Sequence, residues 1–269
     1  MKQSVGDYGV CPMDSRSYIE RGIHTVEGWF GRGDAEVFLA VDAEQAHRGD
    51  LLEIGVYLGK SAVLVGYMQR PDERFVICDL FDPGTLHQAE TGQYANLTRR
   101  AFEANYHRFH YKSPDIYAMP SSGLEMAANL GRTFRFIHVD GSHEYTPARG
   151  DVELVSRLLV PGGVAAFDDI LTLHAVGVQA AVWEAVATGA LTPFAITPGK
   201  LYVSLSESVD DIREAVAARL LRTPGFTIER HALRSSDVLE VLYHETLPLG
   251  QRLKRGLIPP AIARRLNIA

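Results

Sequence analysis

Cysteine is nearly absent from this chain: Cys11 and Cys78 are the only two in 269 residues. They lie far apart, so they give no metal-ligand spacing, and Cys78 sits in an apolar run where a buried thiol is a better reading than a disulfide. Long hydrophobic runs are missing as well. No segment approaches the ~20 apolar residues of a membrane span, and Met1-Lys2-Gln3-Ser4-Val5-Gly6-Asp7 has no apolar core of a secretory signal. A cytoplasmic chain with no membrane span is expected. There is no excess of basic residues either: 27 Lys and Arg stand against 33 Asp and Glu, for a net charge of −6. That argues against a general nucleic-acid binder. No internal repeat or low-complexity block occurs. What remains is an ordinary globular composition, 46% hydrophobic and 22% charged.

Within it, Leu51-Leu52-Glu53-Ile54-Gly55-Val56-Tyr57-Leu58-Gly59-Lys60-Ser61 organises the rest. An apolar strand ends in an acid and a glycine turn, and Ala62 to Met68 reads as an apolar helix. Glycines in such a turn let the backbone approach a ligand, although a tight turn with no ligand has the same pattern. The spacing Glu53-x-Gly55-x-x-x-Gly59 lacks the third glycine of the dinucleotide fingerprint, which disfavours a nicotinamide dehydrogenase. A second apolar run, Phe75 to Cys78, ends in Asp79, 24 residues after Gly55. In doubly wound folds an acid at that place holds the ribose hydroxyls of a bound nucleoside. A helix cap or solvated strand end is the plainer alternative.

Residues 1 to about 20 read as a loosely ordered arm. Asp34 reads as the N-cap of a packing helix, and Trp29-Phe30 as a lid over a pocket mouth. Residues 83–112 are polar and aromatic, long for a plain crossover, and fit a substrate-side insert, with a helix between Leu97 and Phe109. Strands follow at 116–119, 134–140 and 164–167, with helices at 124–130, 147–159 and 176–183 between and after them. Pro161-Gly162-Gly163 reads as a break before the last of these strands. Thr197-Pro198-Gly199-Lys200 turns a hairpin. This order predicts an α/β fold, a doubly wound, mostly parallel sheet with an antiparallel hairpin at one edge. The expected organisation is an arm and lid helix (1–45), one domain (46–245) and a basic tail (246–269). The tail is read as solvated, with contact to a second copy of the chain or to an anionic partner as the alternative.

Asp140 ends one strand, and Asp168-Asp169 end the next. If the strands are neighbours, three carboxylates meet at the edge where such folds bind ligands. They repel one another unless something neutralises them, and a hard divalent cation with oxygen ligands does so. Helix caps are the alternative for any one of them. His143 follows Asp140 in the turn, where neutral imidazole near pH 7 is a competent base; a structural hydrogen bond is its plainer role. His138 is mid-strand and reads as core.

Glu53-x-Gly55-x-x-x-Gly59 resembles the first motif of class I S-adenosylmethionine (SAM) methyltransferases. Val139-Asp140-Gly141-Ser142-His143-Glu144-Tyr145, Pro161-Gly162-Gly163 and Phe167-Asp168-Asp169 resemble the metal-dependent sugar O-methyltransferases, the macrocin, mycinamicin and novobiocin tailoring group. The resemblance covers about residues 45 to 205. It implies SAM contacts at Glu53, Gly55, Gly59, Lys60, Ser61, Asp79 and Asp140, with Ser121 or Ser122 near the adenine. It implies Mg2+ or another divalent cation on Asp140, Asp168 and Asp169, a sugar or oligosaccharide acceptor, and S-adenosylhomocysteine as product. Acceptors in the wider group run from macrolides to the polymethylated polysaccharides of mycobacteria. Several relatives carry an acid two places after the first metal aspartate, where this chain has Ser142, so His143 takes the role of base on chemical grounds. A catechol or other phenolic acceptor is served by the same chemistry. A SAM-binding regulatory module without turnover is the third reading, and it would not need three carboxylates and a histidine together.

Overall fold

The computed structural model describes residues 13–81, 97–131, 133–205, 209–233 and 236–245. The first part of the expected insert (83–96), the first part of the arm and the basic tail lie outside them.

Among the described residues, nine strands form one sheet in the order β3-β2-β1-β4-β5-β7-β6-β9-β8. They are β1 (Asp50–Ile54), β2 (Phe75–Asp79), β3 (Asp115–Ala118), β4 (Phe134–Val139), β5 (Leu159–Phe167), β6 (Thr192–Ile196), β7 (Leu201–Ser204), β8 (Phe226–Leu233) and β9 (Ser236–Tyr243). The first five are parallel. β7 runs antiparallel to β5 and β6, which is the predicted hairpin, and β8 with β9 adds a second antiparallel pair at the edge. The chain winds outward one way from β1 to β3 and the other way from β4 to β5. The reversal between β1 and β4 is the switch point where doubly wound sheets open a crevice beyond their carboxyl ends.

Strand side chains alternate between the two faces, and the cores follow that period. Leu51, Phe75, Ile77, Val164 and Ala166 belong to one buried cluster, which packs under α1 (Ser15–Glu20), α2 (Arg32–Glu44), α3 (Lys60–Met68), α4 (Arg99–Tyr106) and α8 (Val209–Leu220). Leu52, Val76, Cys78, Ala165 and Phe167 belong to the other, under α5 (Leu124–Ala127), α6 (Tyr145–Leu158) and α7 (Val176–Thr188). Full burial on both faces explains why β1, β2 and β4 read as near-continuous apolar runs. No described helix is long and apolar enough to cross a membrane.

Three local expectations need correction. Residues 15–20 are a helix rather than loose arm, capped by Asp14, whose side chain accepts from Ser17 N at 2.7 Å. Asp34 is not an N-cap: α2 starts at Arg32 behind Gly31, and the Asp34 carboxylate instead accepts from Thr197 Oγ1 at 2.8 Å and Tyr202 OH at 2.7 Å. Pro161-Gly162-Gly163 does not precede β5 but lies within it. Pairing to β4 shifts register there, and Gly162 takes φ +76°.

Candidate active site

The floor of the switch-point crevice is two backbones in contact. Asp140 N donates to Ile54 O at 2.7 Å and Gly55 N to Cys78 O at 2.9 Å. A Cβ on Gly55 would sit 1.8 Å from the Asp140 carbonyl oxygen, and its φ of +78° is in the left-handed region. Only glycine meets both conditions. The Asp79 carboxylate closes the turn: Oδ2 accepts from Val56 N at 2.7 Å and Tyr57 N at 3.1 Å, and Oδ1 from Phe81 N at 3.0 Å. Burial raises Asp79 above the ordinary carboxylate range, against those amide bonds, which favour the anion. Tyr57 and Phe81 on either side both take positive φ, a conformation costly outside glycine.

A cavity of about 330 Å³ opens over this floor, with Asp79, Ser121, Asp140, His143 and Asp151 on its walls and Trp29 at its mouth. Trp29 is 70% exposed and its ring lies 5.3 Å from that of Tyr57, whereas Phe30 is buried against Phe38. A cleft of about 860 Å³ between the α1 and α4 regions is larger, but it is lined by Arg21, Arg100 and Arg108 and has neither the glycine turn nor the aspartates.

Several residues of the first motif stand behind the crevice rather than in it. Glu53 is fully buried; its Oε1 accepts from Ser61 Oγ and meets His138 Nδ1 at 2.8 Å. Burial pushes Glu53 up to about 8 and His138 down to about 3, favouring the uncharged form of each. Lys60 donates from Nζ to Gly28 O at 2.8 Å, tying the segment before α2 to α3. Gly59 is the left-handed N-cap of α3. Ser121 reaches the cavity wall, and Ser122 beside it is exposed.

The strand-end aspartates do converge, since Val139 and Phe167 are partners in the β4–β5 ladder. Sequence reasoning missed their counter-charge. Lys200, 1% exposed, pairs through Nζ with Asp168 Oδ2. Burial works against the ammonium, but Asp168, Asp140 and Asp34 outweigh it and hold the Lys200 pKa above its ordinary value. Burial likewise acts to raise Asp168, and Lys200 reverses that, so Asp168 lies below the ordinary range. Asp140 goes the other way, raised by desolvation and by Asp168 beside it. The visible signal was the hairpin itself. Once β7 pairs with β5 through Phe167 and Leu201, the residue before Leu201 must meet the residue after Phe167.

The two aspartates of the pair diverge. Asp140, Asp168 and a His138 ring nitrogen lie within 4.8 Å of one another, whereas Asp169 forms a set with His143 and His174. His143 Nε2 is 2.9 Å from Asp169 Oδ2. Asp169 takes φ +62°, which Asp tolerates better than most residues, and its amide donates to Asp168 Oδ1 at 2.9 Å. Burial acts to raise its carboxyl, but the His143 hydrogen bond outweighs it and holds Asp169 below the ordinary range.

Comparison with known proteins places this geometry. A family model described as a methyltransferase domain matches residues 52–170. No curated protein sequence matches the chain. Among solved structures, the O-methyltransferase NovP is 17% identical with a TM-score of 0.50, covering 65% of this chain and 80% of that one. CalS11, a TDP-rhamnose 3'-O-methyltransferase of calicheamicin biosynthesis, is 16% identical with a TM-score of 0.45, covering 62% and 75%. An O-methyltransferase from Bacillus cereus is 15% identical with a TM-score of 0.46, covering 73% and 93%. The family match spans the glycine turn, Asp79 and all three strand-end aspartates, on the mixed, mostly parallel sheet described above. Over residues 52–170 this chain is similar to methyltransferase domains, and its sheet has the fold of the O-methyltransferase NovP.

Proposed function

We propose that this domain transfers the methyl group of SAM to a hydroxyl of a sugar or glycoside, with a divalent cation at the strand-end aspartates and His143 as the base. The observation that carries this reading is His143, on the wall of the cavity whose floor is Gly55 and Asp140, held by Asp169 at 2.9 Å. The sugar acceptor rests on the likeness of the 139–169 motifs to sugar O-methyltransferases.

The residues fit a hard cation. Asp140 and Asp168 bring their oxygens within 4.8 Å of one another, and one ammonium, Lys200, stands against three carboxylates. The excess of negative charge in a partly desolvated site favours a further cation over a dry carboxylate cluster. Asp140 and Asp168 would hold it, Asp169 being turned to His143 instead, and it would supply Lewis acidity, lowering the pKa of an acceptor hydroxyl.

The chain's own residues do the rest. Asp79, fixed by three backbone amides at the rim of β2, is placed to accept from ribose hydroxyls. Gly55 lets the donor lie flat against the crossing of β1 and β4. Asp169 accepts from His143 Nε2, which fixes the ring and leaves Nδ1 as its basic nitrogen. As the acceptor oxygen displaces the sulfonium in line, its proton passes to His143. Trp29 and Tyr57 offer aromatic faces at the mouth for a ring-shaped acceptor. Alignment of donor and acceptor in such a cleft can supply several kcal/mol of the barrier.

The test is a screen for S-adenosylhomocysteine release over mono- and oligosaccharides, glycosides and catechols, with and without Mg2+. Mg2+-dependent release with a sugar or glycoside supports the reading. Release only with catechols would replace the acceptor class.

A further inference from the structure

His174 lies beside His143, at the edge of the crevice wall that His143 forms, but has no part in the reaction proposed above. It sits on the loop between β5 and α7 and is exposed, with its ring centroid 5.2 Å from that of His143. One ligand atom each from His143, Asp169 and His174 lies within 4.8 Å of the other two. Ligand atoms on a tetrahedral Zn2+ stand about 3.3 Å apart, given metal–ligand bonds of about 2.0–2.1 Å. The His143–Asp169 edge, at 2.9 Å, is already near that, and His174 lies within 4.8 Å of both.

We propose that His143, Asp169 and His174 form a site for a borderline divalent transition cation, of the Zn2+ class, separate from the Asp140–Asp168 carboxylates. Two imidazoles and one carboxylate suit Zn2+, whereas Mg2+ prefers oxygen ligands throughout. Three protein ligands leave a fourth position to water. The loop that carries His174 is tied down on both sides of it. Thr172 N donates to Asp169 O at 3.1 Å, Ala175 N to Thr172 O at 3.0 Å, and Gln179 Nε2 to the same carbonyl at 2.7 Å. The ligands are therefore largely in place before a cation arrives, which lowers the ordering cost of binding.

Occupation of this site would take the imidazole that serves as the base and the carboxylate that orients it. A Zn2+-class cation would then inhibit transfer even with Mg2+ present. This consequence rests on the role given to His143, but binding does not.

A second set, Glu229, His231 and Glu240, lies exposed on β8 and β9 and could bind the same ions. The experiment therefore uses untagged, chelator-stripped full-length protein carrying His231→Ala, titrated with Co2+ under excess Mg2+, followed by its visible absorption and then displaced by Zn2+. One equivalent of Co2+ with an intense ligand-field band is expected, with affinity at least about 10-fold lower after His174→Ala. An unchanged melting temperature in chelator confirms that the variant is folded. No Co2+ band, or the same affinity after His174→Ala, would overturn the site. Zn2+ binding that leaves methyl transfer unslowed would overturn its inhibitory role. Absence of transfer with every acceptor would bring down the proposed function and leave the cation site standing on the Co2+ result.

Discussion

Lys200 Nζ pairs with Asp168 Oδ2 at the point where β5 and β7 come together, with side chains only 2% and 19% exposed. Removing the ammonium strands Asp168 and leaves Asp140 beside it unshielded. Lys200→Met should cost about 3–5 kcal/mol, the usual penalty for breaking a buried pair from one side. Added Mg2+ should recover part of that loss if the aspartates hold a cation. Urea unfolding with and without Mg2+ measures both. A loss below about 1 kcal/mol would mean that the pair is not what neutralises the site.

Gly55→Ala should abolish SAM binding and lower stability by at least about 1–2 kcal/mol. The left-handed φ alone accounts for that cost, and the Cβ clash with the Asp140 carbonyl adds to it. Calorimetry and thermal unfolding check the two effects separately. A variant that still binds SAM normally would place the donor elsewhere.

Asp79→Ala removes the acceptor for Val56 N, Tyr57 N and Phe81 N at once. SAM affinity should fall at least about 10-fold, since an unmade hydrogen bond to a charged group costs about 1.5–3 kcal/mol. Asp79→Asn can keep only some of the amide bonds and should fall between. Wild-type affinity in a folded Asp79→Ala protein would remove Asp79 from the donor site.

Asp151 gives a pH signature. It is 2% exposed, and burial pushes its carboxyl up to about 6, against a hydrogen bond from Ser121. The folded state therefore holds this proton more tightly than the unfolded chain does. The contribution to stability is present in full below about pH 4 and is lost as pH rises through about 6. Two units correspond to about 3 kcal/mol as an upper bound. Asp151→Asn should gain on wild type as pH rises from 5 to 8 in urea unfolding. A gap that does not change with pH would show that Asp151 titrates normally.

The parallel half of the sheet was legible because burial on both faces makes β1, β2 and β4 largely apolar, apart from Glu53, Arg135 and His138, and each leads into the acid or glycine that the crevice uses. The hairpin was legible from Pro198-Gly199. The charge logic was only half legible. Three strand-end carboxylates called for a cation, but Lys200 supplies one of the charges from a strand pair more than 30 residues downstream of Asp168. Asp34 likewise looked like a cap because its partners, Thr197 and Tyr202, lie over 160 residues away. Glu53 reads as a ligand contact from its motif, yet its carboxylate faces the core, where it holds Ser61 and His138. Side-chain direction at a strand end depends on the neighbouring strands, which local spacing does not encode.

The most direct measurement is S-adenosylhomocysteine release by metal-stripped protein with a sugar or glycoside acceptor, before and after Mg2+ is restored, for wild type, Asp168→Ala and His143→Ala. Stripped wild type should be inactive and recover with Mg2+. Asp168→Ala should stay inactive while still binding SAM. His143→Ala should recover to a rate about 10²–10⁴-fold below wild type, the range for loss of a general base. Full wild-type activity after exhaustive chelation would contradict the metal role, and near-normal turnover of His143→Ala would contradict the base.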